Sequence, residues 1–210
     1  MTSQDNAPAV DKTAQYALPS DDKLRAAGEL PVLDEAGTKH AFKTLYANPD
    51  RNLIVFIRHF FCGHCEDYVR ALSAQLPPKS LSALTPPTNL TIIGCGEPSA
   101  IAGYKERTGT SFPIYCDPER KLYEKLGMTQ SLALGDKKPE YVQSSVFQGT
   151  IKSMGNMIKS GMGVFSGGNY SQNGGEWVFD AEGKLVWGRR MGNTRDHAEV
   201  GELKQVLGVE

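Results

Sequence analysis

Residues 53–76 read LIVFIRHFFCGHCEDYVRALSAQL. The run LIVFI at 53–57 is continuously apolar and of strand length, the pattern of a central parallel strand buried on both faces. After Arg58, His59, Phe60 and Phe61 comes CGHC, and from Cys65 the apolar positions Val69, Leu72 and Leu76 follow at offsets of 4, 3 and 4. Those offsets define one face of a helix that must end before Pro77 and Pro78. The stretch is therefore expected to be a buried strand feeding a C-x-x-C at the start of a helix.

The same alternation continues on both sides and gives an α/β class. Downstream, residues 90–94 read as a strand, followed by a helix capped near Ser99 and closed by Gly109. Residues 112–115 read as another strand, and 118–126 as a helix with Gly127 at its end. Upstream, Ser20 caps a short helix that stops at Gly28, and strands at 30–33 and 40–42 flank a turn at 34–37. The chain closes with EWVF, a turn at 180–183, KLVWG, and a helix opened by a capping box from Asp196 to Glu199 with Val200, Leu203 and Leu207 inward. Residues 128–175 break the rhythm. Phe147, Ile151, Met154 and Ile158 predict a helix at about 144–160, and 161–175 contains six glycines. This loop is expected to border Cys62 as a mobile lid, because glycine-rich chain carries a large ordering entropy. The organisation expected is a mobile tail over 1–18 and a single domain over 19–210 with an insertion at 128–175.

Lys and Arg total 23 against 24 Asp and Glu, a net charge of -1. That balance gives no electrostatic reason to expect nucleic acid or an anionic membrane as partner, so small molecules or proteins are expected instead. No apolar run approaches the roughly 18 residues of a membrane span. The first residues have neither a basic start nor an apolar signal core, and a cytoplasmic location is expected. In a reducing compartment the four cysteines are not a structural disulfide framework, and a C-x-x-C there points to redox chemistry or metal.

The geometry of the motif favours redox. Cys62 at a helix N-terminus faces free N–H groups and the positive end of the helix dipole, which stabilise thiolate over thiol. Cys65, one turn on and on the buried face, is spaced to attack a mixed disulfide at Cys62. Arg58, His59 and His64 add positive or protonatable groups that support the thiolate. The rival readings are inert packing and half a zinc site. Zinc would need a second ligand pair, and Cys95 and Cys116 are not spaced as one; His59 and His64 would complete a Cys2His2 set only if His64 turned against the helix start. No metal or other cofactor is expected. Cys95 and Cys116, single cysteines at strand ends, read as buried apolar residues. His197 reads as a first-turn residue of the last helix, and Arg189, Arg190 and Arg195 as a basic cluster on a solvated face. The glycine-rich loop has no GK[ST] after it and is not a phosphate loop.

The segments FIRHFFCGHCEDYVRAL, DPERKLYEKLG and GGEWVFDAEGKLVWGRRMGNTRDHAEVGEL resemble the thioredoxin-like proteins with an AhpC/TSA antioxidant-enzyme domain, within the peroxiredoxin-like group. The resemblance runs over residues 28–207, and its most specific parts are RHFxCxxC and NTRDHAE. It implies a thioredoxin-like fold with peroxiredoxin-type additions, a central mixed sheet flanked by helices, and Cys62 and Cys65 as the redox pair. Members of the group range from antioxidant proteins to a reductase of lipid endoperoxides. Peroxiredoxins proper carry P-x-x-x-T-x-x-C, whose Pro and Thr positions are here Val55 and His59. Their arginine before the strand EWVF is replaced by Gly174 and Gly175, so the donors that polarise an O–O bond are changed. CGHC is also the motif of protein disulfide isomerases, whose cis-proline opposite the sulfurs again corresponds to Gly174 and Gly175. These two glycines and Arg190 are the candidate substrate contacts. The expected function is a thiol-dependent oxidoreductase that reduces a peroxide, endoperoxide or disulfide and is regenerated by thioredoxin or glutathione. The alternatives are a redox-switch binding module without turnover and a biosynthetic enzyme acting on one metabolite through Cys62.

Overall fold

The computed structural model describes residues 12–142 and 166–209. Strands β1 (Pro31–Leu33), β2 (Lys39–Ala41), β3 (Arg51–Phe56), β4 (Thr88–Gly94), β5 (Ile114–Cys116), β6 (Gly175–Phe179) and β7 (Leu185–Arg190) form one sheet, ordered β2-β1-β5-β4-β3-β6-β7. β3 runs parallel to β4 and antiparallel to β6, so the apolar run at 53–57 is the central strand that its composition predicts. Parallel neighbours need a crossover. Helices α3 (Gly63–Gln75) and α4 (Pro78–Ser82) connect β3 to β4, and α5 (Ile101–Thr108) connects β4 to β5. Helices α1 (Lys12–Tyr16) and α2 (Asp21–Gly28) precede the sheet, α6 (Lys121–Lys125) follows β5, and α7 (Val200–Leu207) closes the described chain.

The strand period of two sorts the core into two layers. Leu53, Val55 and Ile57 join Val178 under α3, α5 and α7, while Ile54 and Phe56 join Trp177 and Phe179 on the face covered by α2 and α6. On the first face Cys65, Val69, Leu72 and Leu76 are wholly buried, as their helical offsets require. This arrangement aims the start of α3 at the ends of β3 and β6, where the C-x-x-C sits. The mixed sheet flanked by helices is the thioredoxin-like architecture that the resemblance implies.

Three expectations change. The last helix does not start in a capping box at Asp196: Glu199 is its N-cap and Val200 its first residue. Asp196 is drawn instead to Arg189 Nη2 (2.7 Å), Gly192 N (2.8 Å) and Gln15 Nε2 (2.7 Å), and 194–195 form a turn that leads into the non-helical residues 196–199. Arg189, Arg190 and Arg195 are not a solvated cluster. Arg189 is buried on Asp196, Arg190 stacks over the Trp177 ring at 4.9 Å, and Arg195 donates to the Leu134 and Gly135 carbonyls. Helix α6 starts at Lys121 rather than 118, because the Asp117 carboxylate caps the N–H groups of Lys121 and Leu122. The helix expected at 144–160 and residues 161–165 of the glycine loop lie outside the described residues.

Among the described residues, no helix is long and apolar enough to cross a membrane.

Candidate active site

Cys62 is the N-cap of α3, with extended backbone at φ -78° and ψ 108°. Its carbonyl accepts the first helical hydrogen bond, from Glu66 N at 3.0 Å. The Cys62 sulfur therefore lies where α3 presents its unpaired N–H groups, and all four cysteines are free thiols. The Arg58 guanidinium reaches over from the end of β3: Nη1 donates to Cys62 Sγ at 3.3 Å. Its other nitrogens donate to the carbonyls of Gln172, from Nε at 3.2 Å, and Tyr170, from Nη2. One buried guanidinium thus ties Cys62 to residues 170 and 172 of the glycine-rich loop. Burial of a guanidinium is costly unless every donor has work, and here the fork is matched to a sulfur and two carbonyls.

The two thiols are held in opposite states. The Cys62 thiol is lowered well below its ordinary range, chiefly by a hydrogen bond from Cys65 and then by the Arg58 charge, which together outweigh burial. The Cys65 thiol is raised well above it, by burial first and then by the hydrogen bond and charge at Cys62. Cys65 Sγ also accepts the Arg58 backbone N–H at 3.4 Å. Ionisation is thus favoured at Cys62 and opposed at Cys65.

His59 and His64 stand beside the sulfur, but not as cations. Burial pushes His59 down to about 4 and also lowers His64, so both rings are neutral at pH 7 and the positive charge is that of Arg58. Beside the Cys62 thiol the Arg58 charge has the larger lowering effect and His59 the smaller. Both Nδ1 atoms are buried without a hydrogen-bond partner. The His59 ring meets Tyr170 edge-on at 4.6 Å, in the position where peroxiredoxins carry their threonine.

The described part of the glycine loop does border the thiols. Gly167 O accepts from Phe60 N at 3.0 Å, and a Cβ at Gly167 would fall 2.0 Å from Phe61 Cδ2, so only glycine lets the loop lie on the FF pair. Gly174 and Gly175 are buried, and a Cβ at Gly174 would fall 1.8 Å from the Phe56 carbonyl. A Cβ at Gly175 would fall 2.5 Å from the Arg189 carbonyl, so the two bare positions serve close packing against β3 and β7 and offer no side chain to a substrate. Arg190 does not reach the sulfurs either: it donates to the carbonyls of Leu126 (2.7 Å) and Ala17 (2.5 Å) on the Trp177 face. Cys95 lies beside the site, its Sγ donating to Arg58 O at 2.9 Å, and burial pushes Cys95 and Cys116 each up to about 12. Among the described residues, no three His, Cys, Asp or Glu side chains are grouped to hold a metal ion.

Sequence reasoning misses one part of the site. His197 Nε2 lies 3.4 Å from Cys65 Sγ, and its Nδ1 lies 2.6 Å from Glu176 Oε1. Glu176 and His197 side chains are wholly buried. The Tyr68 ring stacks on His197 with centroids 4.2 Å apart. One signal is present in the sequence: Glu176 is a carboxylate two residues before Val178, on the strand face that points into the core.

The AhpC/TSA antioxidant enzyme model matches residues 71–193, from within α3 beyond Cys65 to the segment after β7. Peroxiredoxin-like 2C of Bos taurus is 32% identical over 189 residues, covering 88% of this chain and 79% of that protein. The Homo sapiens protein of the same name is also 32% identical, over 88% of this chain and 80% of its own. Among solved structures, the bacterioferritin comigratory protein of Xanthomonas campestris superposes with a TM-score of 0.56 at 13% identity, over 91% of this chain and 93% of that one. A peroxiredoxin-like protein from Aquifex aeolicus gives 0.53 at 11% identity, over 96% and 88%. At such identities the structures speak for the fold alone. Matched over more than half its length and to relatives of nearly its own extent, the chain belongs to the AhpC/TSA antioxidant enzyme family and has its thioredoxin-like fold.

Proposed function

We propose that the protein is a thiol-dependent oxidoreductase in which Cys62 is the nucleophile and Cys65 the resolving thiol. The observation that carries this is the Arg58 guanidinium 3.3 Å from Cys62 Sγ at the start of α3, with the Cys65 thiol behind it. In the first step the Cys62 thiolate attacks one atom of an S–S or O–O bond. That bond breaks and its electron pair leaves with the other atom, giving a mixed disulfide or a sulfenic acid at Cys62. Cys65 then displaces the remaining group and closes the Cys62–Cys65 disulfide. The substrate gains two electrons and the thiol pair loses two; a dithiol such as reduced thioredoxin, or two molecules of glutathione, restores the pair. The substrate classes are disulfides, peroxides and endoperoxides. Within a single domain over 19–210, the insertion at 128–175 shapes the entrance through Tyr170, which covers His59. A cytoplasmic setting suits this chemistry, because reductants of both kinds are abundant there.

The test is rapid mixing of the reduced protein with hydrogen peroxide, a lipid hydroperoxide and a small disulfide, followed by mass spectrometry of both cysteines. Cys62→Ser abolishes turnover, and Cys65→Ser accumulates a mixed disulfide or sulfenic acid at Cys62. Full turnover in Cys62→Ser protein refutes the proposal.

A further inference from the structure

We infer that His197 is the proton acceptor for Cys65, with Glu176 as its positioning residue, so that a buried Glu176–His197–Cys65 relay drives the resolving step. The inference rests on the oxidoreductase reading and deepens it.

The relay follows from atom roles. A carboxylate only accepts, so His197 Nδ1 must carry the hydrogen in its 2.6 Å contact with Glu176 Oε1. In the neutral ring this leaves Nε2 as an acceptor, and the atom facing it at 3.4 Å is Cys65 Sγ. The second carboxylate oxygen of Glu176 accepts from Ala198 N at 3.3 Å, and the His197 N–H donates to Tyr141 Oη at 3.0 Å. Backbone and ring are thus both fixed. Stacking on Tyr68 and edge contact with Tyr141 hold the ring plane. A carboxylate and an imidazole buried in the core are expensive to keep, and apolar residues of similar volume would pack there without that cost.

The Cys65 proton has two acceptors, and the state of Cys62 selects between them. While Cys62 is a thiolate, it takes the Cys65 hydrogen bond. Once Cys62 has become part of a mixed disulfide it holds no charge, and His197 Nε2 is the base left within reach. The proton passes to Nε2, and the Cys65 thiolate attacks the Cys62 sulfur. The new S–S bond forms as the bond from Cys62 to the substrate sulfur breaks. The electron pair leaves with that sulfur, and the proton on His197 goes to it or to water. Resolution then waits for a loaded nucleophile.

Several charged and titratable groups face this centre. Glu176 comes from β6, Cys62, Cys65 and Tyr68 from α3, Arg58 from the end of β3, Tyr104 from α5, Tyr141 from the segment before 142, and Arg189 from β7 next to Glu176. Arg58 and Arg189 are the basic side chains of this group and Glu176 its acidic one.

The probe is 5,5′-dithiobis(2-nitrobenzoate), a disulfide whose two halves leave as coloured thiolates in sequence. The first release reports attack by Cys62 and the second reports resolution by Cys65. General bases contribute about 10²- to 10⁴-fold, so His197→Gln is expected to slow the second release by at least about 100-fold at neutral pH and leave the first within about threefold. Glu176→Gln, which preserves shape and the Nδ1 contact, is expected to slow the second release about tenfold or more and move its pH profile to higher pH. Should either core variant fail to fold, the wild-type profile decides: with the relay, the second release stays fast at neutral pH instead of rising tenfold per pH unit. Variants with an unaltered second release and unaltered profile, or a wild-type release that climbs tenfold per unit into alkaline pH, overturn the relay. A protein showing no first release overturns the oxidoreductase reading itself.

Discussion

Replacing Arg58 by Met removes the only guanidinium on Cys62 Sγ, together with its bonds to the Tyr170 and Gln172 carbonyls. A hydrogen bond to a charged partner is worth about 1.5–3 kcal/mol. If that stabilisation falls on the thiolate, the fraction ionised at pH values below the titration midpoint drops roughly 10- to 150-fold. A thiolate of weaker acidity is a better nucleophile, and with a Brønsted slope of about 0.4–0.5 half of the logarithmic loss is recovered, so alkylation at pH values below the midpoint slows by roughly 3- to 12-fold. The assay is the rate of iodoacetamide labelling of Cys62 against pH, read by mass spectrometry. Loss of the two carbonyl bonds loosens the loop over His59 and raises access to the sulfur, but access scales the rate equally at every pH. The inflection is therefore the diagnostic, and it moves to higher pH. Arg58→Lys keeps a cation that cannot span a sulfur and two carbonyls at once, and its inflection falls between the two. An Arg58→Met profile whose inflection coincides with the wild type refutes the assignment of Arg58 as the thiolate's charge partner.

Gly174→Ala puts a methyl 1.8 Å from the Phe56 carbonyl, and separating β6 from β3 to fit it costs about 1–3 kcal/mol or more; urea midpoints measure the loss, and an unchanged midpoint contradicts the packing. His59 is pushed down to about 4 by burial, so between pH 6.5 and 4 the unfolded chain binds a proton that the folded one refuses. Stability conferred by keeping this ring neutral is complete above pH 6.5 and is lost as pH falls, by roughly 3 kcal/mol at pH 4. In His59→Phe that component of the acid sensitivity disappears, and unfolding at pH 7, 5 and 4 compares the two. Cys95 and Cys116, each pushed up to about 12 by burial, stay unlabelled at neutral pH while Cys62 reacts; labelling of Cys95 at the rate of Cys62 contradicts the division of the thiols.

The central strand, the α3 helix and the two sulfurs were legible because local periodicity carries them: a doubly buried strand is apolar at every position, and a buried helix face repeats at 3 and 4. The approach of the loop to Arg58 and Cys95 was legible from where it must return the chain, to the strand at Glu176 whose start faces the C-x-x-C. His197 was not. Its neighbours in sequence, Asp196 and Glu199, imitate a capping box, and an N-cap acid with a Glu three residues on is a local signal blind to what lies across the sheet. Arg189 decides the outcome. Once this buried cation on β7 claims Asp196, the carboxylate is unavailable as a cap, the helix start retreats to Val200, and 196–199 stay outside the helix. Freed from the helix, His197 is buried against Cys65 and Ala198 joins the core beside it. The partner that gives this histidine its tautomer, Glu176, is 21 residues away on an adjacent strand. No short window of sequence contains both, so the pairing exists only in the tertiary fold. The same physical fact makes the relay testable apart from the fold: the hydrogen bonds that set 194–198 belong to Arg189 and Asp196, and Glu176→Gln disturbs the charge at His197 without removing them.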